Sequence, residues 1–466
     1  MTHRKTTTFV MAAFALLLGI LAGASTAAAS TKQTMFFEAP RDLTARTSTD
    51  ATRATAFAAM EKAGVKALRV NVQWYDVAPN PDDAATPAFD PTDPNGYYWG
   101  NYAAAIDAAK AKGWTVLISL AAPVPKWATA DKSDNVKRPI PAEYAKFATA
   151  AAKRFGASNV LWSIWNEPNL PRYLSPQISG GKYVGAQLYR ELFEAGRQGI
   201  RAGGQTTAKV LFGELAPVGG SNDGRVYPLT FLRAAFCLSS RDKYDKKCGA
   251  KLQLDGVAHH PYQFTNGKLN KNDVTYRNLS SLTKFLDKAG KAKAISTKVP
   301  VYFTEFGIQS YPDKTFGVSP QRQYEIRARV ERDAYYNSRV AGFSQYLFTD
   351  DTDNGGFQTG LYYANGKAKP SYAAFISTLD AKPVKVGKRY KKVSLWGIAR
   401  SATKATTVVV EKKRGKSFKT WKKVKTKSNG AFTVTDSTYK SSAQYRFRWT
   451  SPSGKVTSPA VRVYKG

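Results

Sequence analysis

Short apolar runs rich in β-branched and aromatic residues recur along the chain, separated by amphipathic or Ala-rich stretches. The first four are TMFFEAP (34–40), ALRVNVQW (67–74), TVLISLAAP (115–123) and VLWSIWNEPN (160–169). Four more follow: KVLFGELAP (209–217), GVAHHPYQF (256–264), VPVYFTEFG (299–307) and AGFSQYLFTDD (341–351). Runs of this kind read as buried strands. Helical patterns lie between them, for example over 52–63, 98–112, 143–155, 183–201 and 321–339. Strands alternating with helices predict parallel pairing with crossover helices, and eight such units predict a (β/α)8 TIM barrel with insertions. The competing doubly wound sheet lacks its usual mark, since no glycine-rich nucleotide fingerprint follows the first strand.

The segment GLYYANGKAKPSYAAFISTLD (360–380) reads as a turn at Asn365-Gly366 and a closing helix from near Pro370, which ends a barrel spanning 30–380. Beyond it the pattern changes to short runs rich in Val, Thr and aromatics with Gly or Ser turns, such as TTVVVEKKR and YRFRWTS. That spacing predicts a small all-β, immunoglobulin-like sandwich over 381–466.

A chain of 466 residues has room for both domains, and 43% hydrophobic residues with 12% aromatics is globular rather than disordered composition. The first 29 residues run from basic (Arg4, Lys5) through an apolar stretch to small residues ending in an A-x-A site, the pattern of a cleaved signal peptide. No later stretch is long and apolar enough to span a bilayer, so the expectation is a secreted or cell-wall associated protein with no membrane span after signal cleavage. The two cysteines, Cys237 and Cys248, lie in a Lys-rich stretch without a nearby His; two thiols cannot fill a tetrahedral zinc shell, and an exported chain favours a disulfide. The net charge of +36 is concentrated at the end, where residues 381–466 hold 23 Lys and Arg against only Glu411 and Asp436. A basic end points to an anionic cell-wall polymer or acidic polysaccharide as partner, with a solvated spacer as the alternative. Nucleic acid is not expected, because the basic residues follow no reader motif.

Chemistry in a barrel gathers at the C-terminal ends of the strands. The polar and aromatic residues there are Glu38, Arg69, Asn71, Trp74, Trp127, Asn166, Glu167, Glu214, His260, Tyr262, Glu305, Gln345 and Tyr346. Glu167 closes the fourth strand and Glu305 the seventh, on opposite sides of the mouth, where two carboxyl groups can flank one bond as glycoside hydrolysis requires.

The WNEPN and TEFG segments resemble the acid/base and nucleophile signatures of clan A glycoside hydrolases, the barrel superfamily of many cellulases, xylanases and β-xylosidases. The resemblance spans about residues 33–380 and includes strand order. It implies Glu167 as general acid/base, Asn166 as the contact to the sugar 2-hydroxyl and Glu305 as nucleophile. It further implies Arg69 as the cation steadying the nucleophile, with His260 and Tyr262 lining the subsite of cleavage. It also implies a retaining mechanism on β-linkages, without a cofactor. One departure concerns strand eight, where FSQYLFTDD lacks the tryptophan platform common in the clan; stacking on sugar then falls to Tyr346 or to Trp127. Arg69 has a structural alternative, an ion pair with Glu38 or Glu214, and Trp74 and Trp127 are equally readable as core. Only one of His259 and His260 can face the mouth. TDDTDNGG (349–356) has acids at alternate positions as calcium loops do, but it lacks the terminal Glu and reads as a mouth loop. The expectation is an exported retaining glycoside hydrolase acting on carbohydrate; the alternative is a catalytically silent carbohydrate- or wall-binding protein on the same barrel.

Overall fold

The computed structural model describes residues 33–464 apart from 221–223, 264–266 and 354; the leader over 1–29 lies outside the described residues. Eight parallel strands close into a barrel in sequence order: β1 (Thr34–Glu38), β2 (Ala67–Gln73), β3 (Thr115–Ala121), β4 (Val160–Ile164), β5 (Val210–Leu215), β6 (Gly256–His259), β7 (Val301–Phe303) and β8 (Val340–Tyr346). β8 pairs with β1, so the sheet has no open edge and the doubly wound alternative is excluded. A helix follows each strand, from Asp50–Lys62 after β1 to Pro320–Tyr335 after β7 and Pro370–Ile376 after β8. The closing helix starts at Pro370 as the sequence predicts but stops at Ile376, because Ser377 to Asp380 already pair with the next strand but one, opposite Ala399 to Trp396.

Side chains of a strand alternate between its faces, and this sorts the barrel into layers. Phe36, Ala67, Leu117, Leu211, Ala258 and Tyr302 form a small buried cluster inside the barrel. Their neighbours Phe37, Leu68, Ile118, Phe212, Val257 and Phe303 pack outwards under the helices. Two residues further towards the mouth, the inward register holds Glu38, Arg69, Ser119 and Ser163, all buried. The barrel floor is therefore apolar and the layer above it polar. β5 reaches that layer by a bulge between Gly213 and Leu215, which turns Glu214 inwards. Gly213 has φ +118°, and a Cβ there would sit 2.2 Å from the Ala258 carbonyl oxygen, so only glycine fits.

Residues after 376 form two antiparallel sheets. Their strands are β9 (Ser377–Val386), β10 (Arg389–Ala399), β11 (Thr407–Arg414), β12 (Ser417–Lys425), β13 (Ala431–Asp436), β14 (Gln444–Ser451), β15 (Gly454–Thr457) and β16 (Val461–Arg462). One sheet has the order β13-β10-β9; the other is β12-β11-β14-β15 with β16 on β14. Tyr445, Phe447 and Trp449 of β14 are buried between alternating polar residues. They meet the other sheet where Phe447 packs edge-on to Phe432 at 5.0 Å and Trp449 Nε1 donates to Ser377 Oγ at 2.9 Å. Cys237 and Cys248 form a disulfide. Among the described residues no helix is long and apolar enough to cross a membrane.

The barrel and the β-domain are joined by buried charge. Glu331, on the Pro320–Tyr335 helix, accepts from Arg327 Nη1 and from Arg400 Nη2 of the β-domain, each at 2.7 Å, and all three side chains are at most 7% exposed. Arg332 pairs with Asp380, and Tyr324 donates to the Ala460 carbonyl at 2.9 Å. Removing the carboxylate from a buried set strands the cations, at a cost of about 3–5 kcal/mol. Glu331→Ala is thus expected to lower the denaturation midpoint strongly, whereas Glu61→Ala, which breaks the exposed Lys112–Glu61 pair, stays within about 1 kcal/mol of wild type. Urea titrations that gave both variants the same midpoint would refute the buried-triad account.

Candidate active site

The polar layer of the barrel is organised around Arg69, whose side chain is fully buried. Its Nη1 donates to Glu305 Oε1 at 2.7 Å and also meets Glu38, while Nη2 donates to Asn166 Oδ1 at 3.0 Å. Nε donates to Glu214 Oε1 at 3.2 Å, and Nη2 closes a bidentate contact with the same carboxylate. Arg69 is at once the cation on Glu305, an ion pair with Glu214 and a hydrogen-bond donor to Glu38. The two readings open in the sequence are one cluster, drawn from β1, β2, β5 and the segments after β4 and β7.

Beyond β4 the chain turns sharply. Trp165 and Glu167 have φ of +74° and +44°, a region that side-chain-bearing residues adopt only when their surroundings insist. Here the Trp165 amide donates to the Leu120 carbonyl and the Glu167 amide to the Glu214 carbonyl, each at 2.9 Å. The turn presents Asn166 to Arg69 and aims Glu167 across the mouth. His260 Nδ1 lies 3.1 Å from Glu167 Oε1 and 3.6 Å from Glu305 Oε2, so one ring nitrogen stands between the two carboxyl groups. Its Nε2 is 3.7 Å from Glu214. Tyr262 donates to Glu305 Oε2 at 3.1 Å, and Arg172 Nη2 donates to Glu167 Oε2 at 3.2 Å.

Glu38 and Glu214 share one guanidinium, and their protons separate accordingly. Burial pushes the Glu38 carboxyl up to about 8, because Arg69 only partly offsets it and Glu305 and Glu214 add repulsion. Burial also pushes Glu214 upwards, but Arg69 and His260 outweigh it and hold that carboxyl at about 2. Burial disfavours the charged form of His260, yet Glu305, Glu167 and Glu214 raise it to about 10, so the ring is an imidazolium at neutral pH. Glu167 is lowered below its ordinary value: burial pushes it up, but His260 and then Arg172 pull it down further. His259 points the other way, its Nε2 2.7 Å from the Val274 carbonyl, and burial lowers it to about 3.

Glu38, Asn166, Glu167, Tyr262, Glu305 and Tyr346 line one cleft of about 2370 Å³, above the buried Arg69 and His260. Tyr346, at the end of β8, packs edge-on to Tyr262 and Phe357 and is the aromatic that strand eight contributes. Trp127 requires a correction: it does not reach the cleft. Its indole is 1% exposed, donates to the Pro79 carbonyl at 3.1 Å and packs edge-on to Trp74, because the turn carrying it folds back under the loop after β2. Trp74 is core as well, stacked on Phe147 at 4.9 Å. Gln345 is buried between Arg327 and the Thr359 carbonyl. In the loop after β8, Asp350 holds Lys369, while Asp351 and Asp353 accept backbone amides. Among the described residues, no three His, Cys, Asp or Glu side chains are grouped to hold a metal ion.

Several cleft residues escaped the sequence reading. Tyr98 is 71% exposed on the loop after β2, and Phe316 is 38% exposed on the loop after β7. Asn71, already among the strand-end candidates of the sequence, lies two residues beyond Arg69 in the inward register and leaves its Oδ1 without a partner at the cleft wall. Arg172 carries no periodic signal, and Tyr98 and Trp99 read as the start of the 98–112 helix, which begins only at Gly100 and leaves both in the loop before it.

The sign of the Glu38 effect is testable. Unfolded, this carboxyl ionises near 4.5; folded, it keeps its proton to about 8. Across that window the folded protein binds more protons, so this group makes stability fall as pH rises. Glutamine mimics the protonated acid, and Glu38→Gln should lose less thermal stability than wild type between about pH 5 and pH 8. Glu214→Gln, replacing a group held at about 2, should instead destabilise at neutral pH. Calorimetric melting temperatures measured across pH decide it, and parallel slopes for wild type and Glu38→Gln would reject a protonated Glu38.

A glucosidase structure from Croceicoccus marinus matches over 88% of this chain and 93% of its own, with a TM-score of 0.51 at 11% identity, which is a likeness of fold. An endo-1,4-β-xylanase from Penicillium canescens matches over 74% of this chain and 93% of its own at 15% identity and a TM-score of 0.47. A β-glucuronidase from Bacteroides uniformis matches over 93% of this chain at 13% identity and a TM-score of 0.45, and the chain spans only 45% of that protein's length. No curated protein matches the chain. The cellulase model, glycosyl hydrolase family 5, matches residues 27–328, most of the barrel. The chain therefore belongs to glycosyl hydrolase family 5 and is a glycoside hydrolase.

Proposed function

We propose that this protein is an exported, retaining hydrolase of β-linked oligo- or polysaccharides, with Glu305 as nucleophile and Glu167 as general acid/base. The observation that carries the reading is the single His260 nitrogen within 3.1 Å of Glu167 and 3.6 Å of Glu305. Two oxygens sharing one neighbour at those distances fit the roughly 5–5.5 Å carboxyl spacing of retaining enzymes better than the wider spacing of inverting ones, about 6.5–9.5 Å. Glu305 attacks the anomeric carbon as the bond to the departing sugar oxygen breaks, and Glu167 gives that oxygen its proton. Glu167 then takes a proton from water, which opens the glycosyl ester on Glu305 and restores the starting configuration. Arg69 and Tyr262 orient Glu305, Asn166 meets the 2-hydroxyl, and Tyr346, Tyr98 and Phe316 offer faces for sugar rings. The sequence needs no metal or organic cofactor.

A general acid must hold a proton, whereas Glu167 in the free protein is held low by His260 and Arg172. Bound substrate therefore has to loosen that hold. Export is supported by the basic, apolar and small-residue order of the first 29 residues. An anionic wall polymer as partner of the β-domain is supported by the exposed face of its larger sheet. That face carries Lys423, Lys425, Arg448, Lys455 and Arg462, with Glu411 as its acid.

The test is turnover of 4-nitrophenyl β-glycosides and dyed β-glucan, xylan, mannan and galactan by wild type, Glu305→Ala and Glu167→Gln. Loss of hydrolysis in Glu305→Ala, with azide restoring release as a glycosyl azide of inverted configuration, is the expected result. Glu167→Gln should lose about 10²–10⁴-fold on substrates with poor leaving groups. Hydrolysis that survives Glu305→Ala would remove it as nucleophile. Sugar affinity without turnover in wild type would favour the silent binding protein.

A further inference from the structure

We propose that the cleft is built for a glycan bearing uronic-acid carboxylates, with Arg172 binding one of them beside the scissile bond and Lys268 and Lys271 meeting others along the same wall. This deepens the glycosidase reading above and rests on it for the position of the scissile bond.

Arg172 sits on the loop after β4 with its side chain 67% exposed. One nitrogen of its fork touches Glu167 at 3.2 Å and its guanidinium lies over the Tyr173 ring at 4.7 Å, so the remaining donors face the cleft. The group is already gripping a carboxylate, the partner its planar fork matches best. A second carboxylate arriving on substrate can exchange for the first without any new geometry.

The loops after β5 and β6 extend the same wall with Arg225, Lys268 and Lys271. Both lysines are exposed and neither makes an ion pair among the described residues. The remaining acids of the cleft do not answer these cations: Asp76 meets Arg46 at 3.6 Å, and Asp273, though on the same wall, is turned inwards. Asp273 is buried and accepts the Asn270 amide, while Asp351 and Asp353 stand on the loop after β8 with backbone partners of their own. The mouth is thus cationic on one side. A neutral glycan has hydroxyls and ring faces, which draw little from ammonium groups in water. A polyanion is steered by them and repays the loss of their hydration.

Exchange at Arg172 also has a chemical consequence. It withdraws one of the two cations holding Glu167 ionised and replaces it with a negative group nearby, so acidic substrate itself promotes uptake of the proton that Glu167 must deliver. A neutral substrate leaves Arg172 in place.

The experiment is calorimetric titration, beside hydrolysis, of hexasaccharides of glucuronoxylan and of hyaluronan, each paired with its carboxyl-reduced neutral counterpart, and of one sulfated hexasaccharide. Full-length wild type, Arg172→Ala and Lys268→Ala/Lys271→Ala are compared after circular dichroism has verified their folding. Wild type should bind an acidic member at least about tenfold more tightly than its reduced partner, and Arg172→Ala should lose most of that preference. The lysine pair should lose part of it and flatten the salt dependence. The basic face of the β-domain is common to all three proteins, so the difference between them reports on the cleft. Equal affinity for charged and reduced probes in wild type, or a preference untouched in Arg172→Ala, overturns the proposal, and a preference confined to the sulfated probe overturns the carboxylate assignment. An Arg172-dependent preference without Glu305-dependent hydrolysis would instead sink the retaining mechanism and leave the acidic-glycan site standing.

Discussion

Arg69 is a fully buried guanidinium, placed where β1, β2, β5 and the segments after β4 and β7 converge, and among the described residues its polar contacts are to groups of the site. Burying such an ion costs several kcal/mol, which only well-formed contacts can offset. Glu38, Glu214, Glu305 and Asn166 supply those contacts, and two of them are held in turn: Glu214 by Ser119 at 2.8 Å, Glu305 by Tyr262 at 3.1 Å. The barrel closes around this charge as well as around its apolar floor. Position and protonation are set together, because Glu38 and Glu214 share one cation. Glu214 is left ionised, Glu38 keeps a proton, and Glu305 is aimed into the cleft.

Two local distortions make the cluster possible. The bulge at Gly213 admits Glu214 to a layer that regular alternation would give to a residue without a side chain. The left-handed turn at Trp165 and Glu167 lifts the second carboxyl out of the β4 register and over the mouth. Tyr189 ties both places, its hydroxyl accepting the Gly213 amide at 2.6 Å and lying 2.9 Å from the Ile164 carbonyl. Backbone strain of this kind persists only where surrounding bonds over-determine it, and it gathers where chemistry is done.

The legible and the illegible parts of the sequence divide along the same physical line. Strand order was legible because each barrel strand is largely buried on both faces and reads as a short, mostly apolar run between helical patterns. Glu167 and Glu305 were legible because each ends such a run, which by itself brings them to the mouth, although the turn that aims Glu167 is held by β3 and β5. The burial of Trp127 was not, since it depends on the loop after β2 lying across it, with Pro79 as partner and Phe89 packed 5.9 Å away. The joint function of Arg69 was only half visible: its neighbours were each foreseeable, but their competition for one cation exists only once the barrel is closed. Arg172 was hidden for the opposite reason. An exposed arginine on a loop has no periodic signature, and its meaning comes wholly from the carboxylate that happens to face it.

The inner and outer arginines then play unequal parts in one electrostatic arrangement. Arg69 is enclosed and cannot leave, so its effect on Glu305 and Glu214 is constant whatever enters the cleft. Arg172 is exposed and holds Glu167 by a single hydrogen bond, so in the acidic-glycan reading proposed above its effect on Glu167 lasts only until a substrate carboxylate takes its place. In the proposed mechanism the nucleophile needs an unvarying environment, whereas the residue that must first give a proton and later take one back needs an environment that changes during the cycle. Fixing one cation beneath the barrel mouth and leaving the other at its rim satisfies both demands, because burial decides which charge a substrate is able to move.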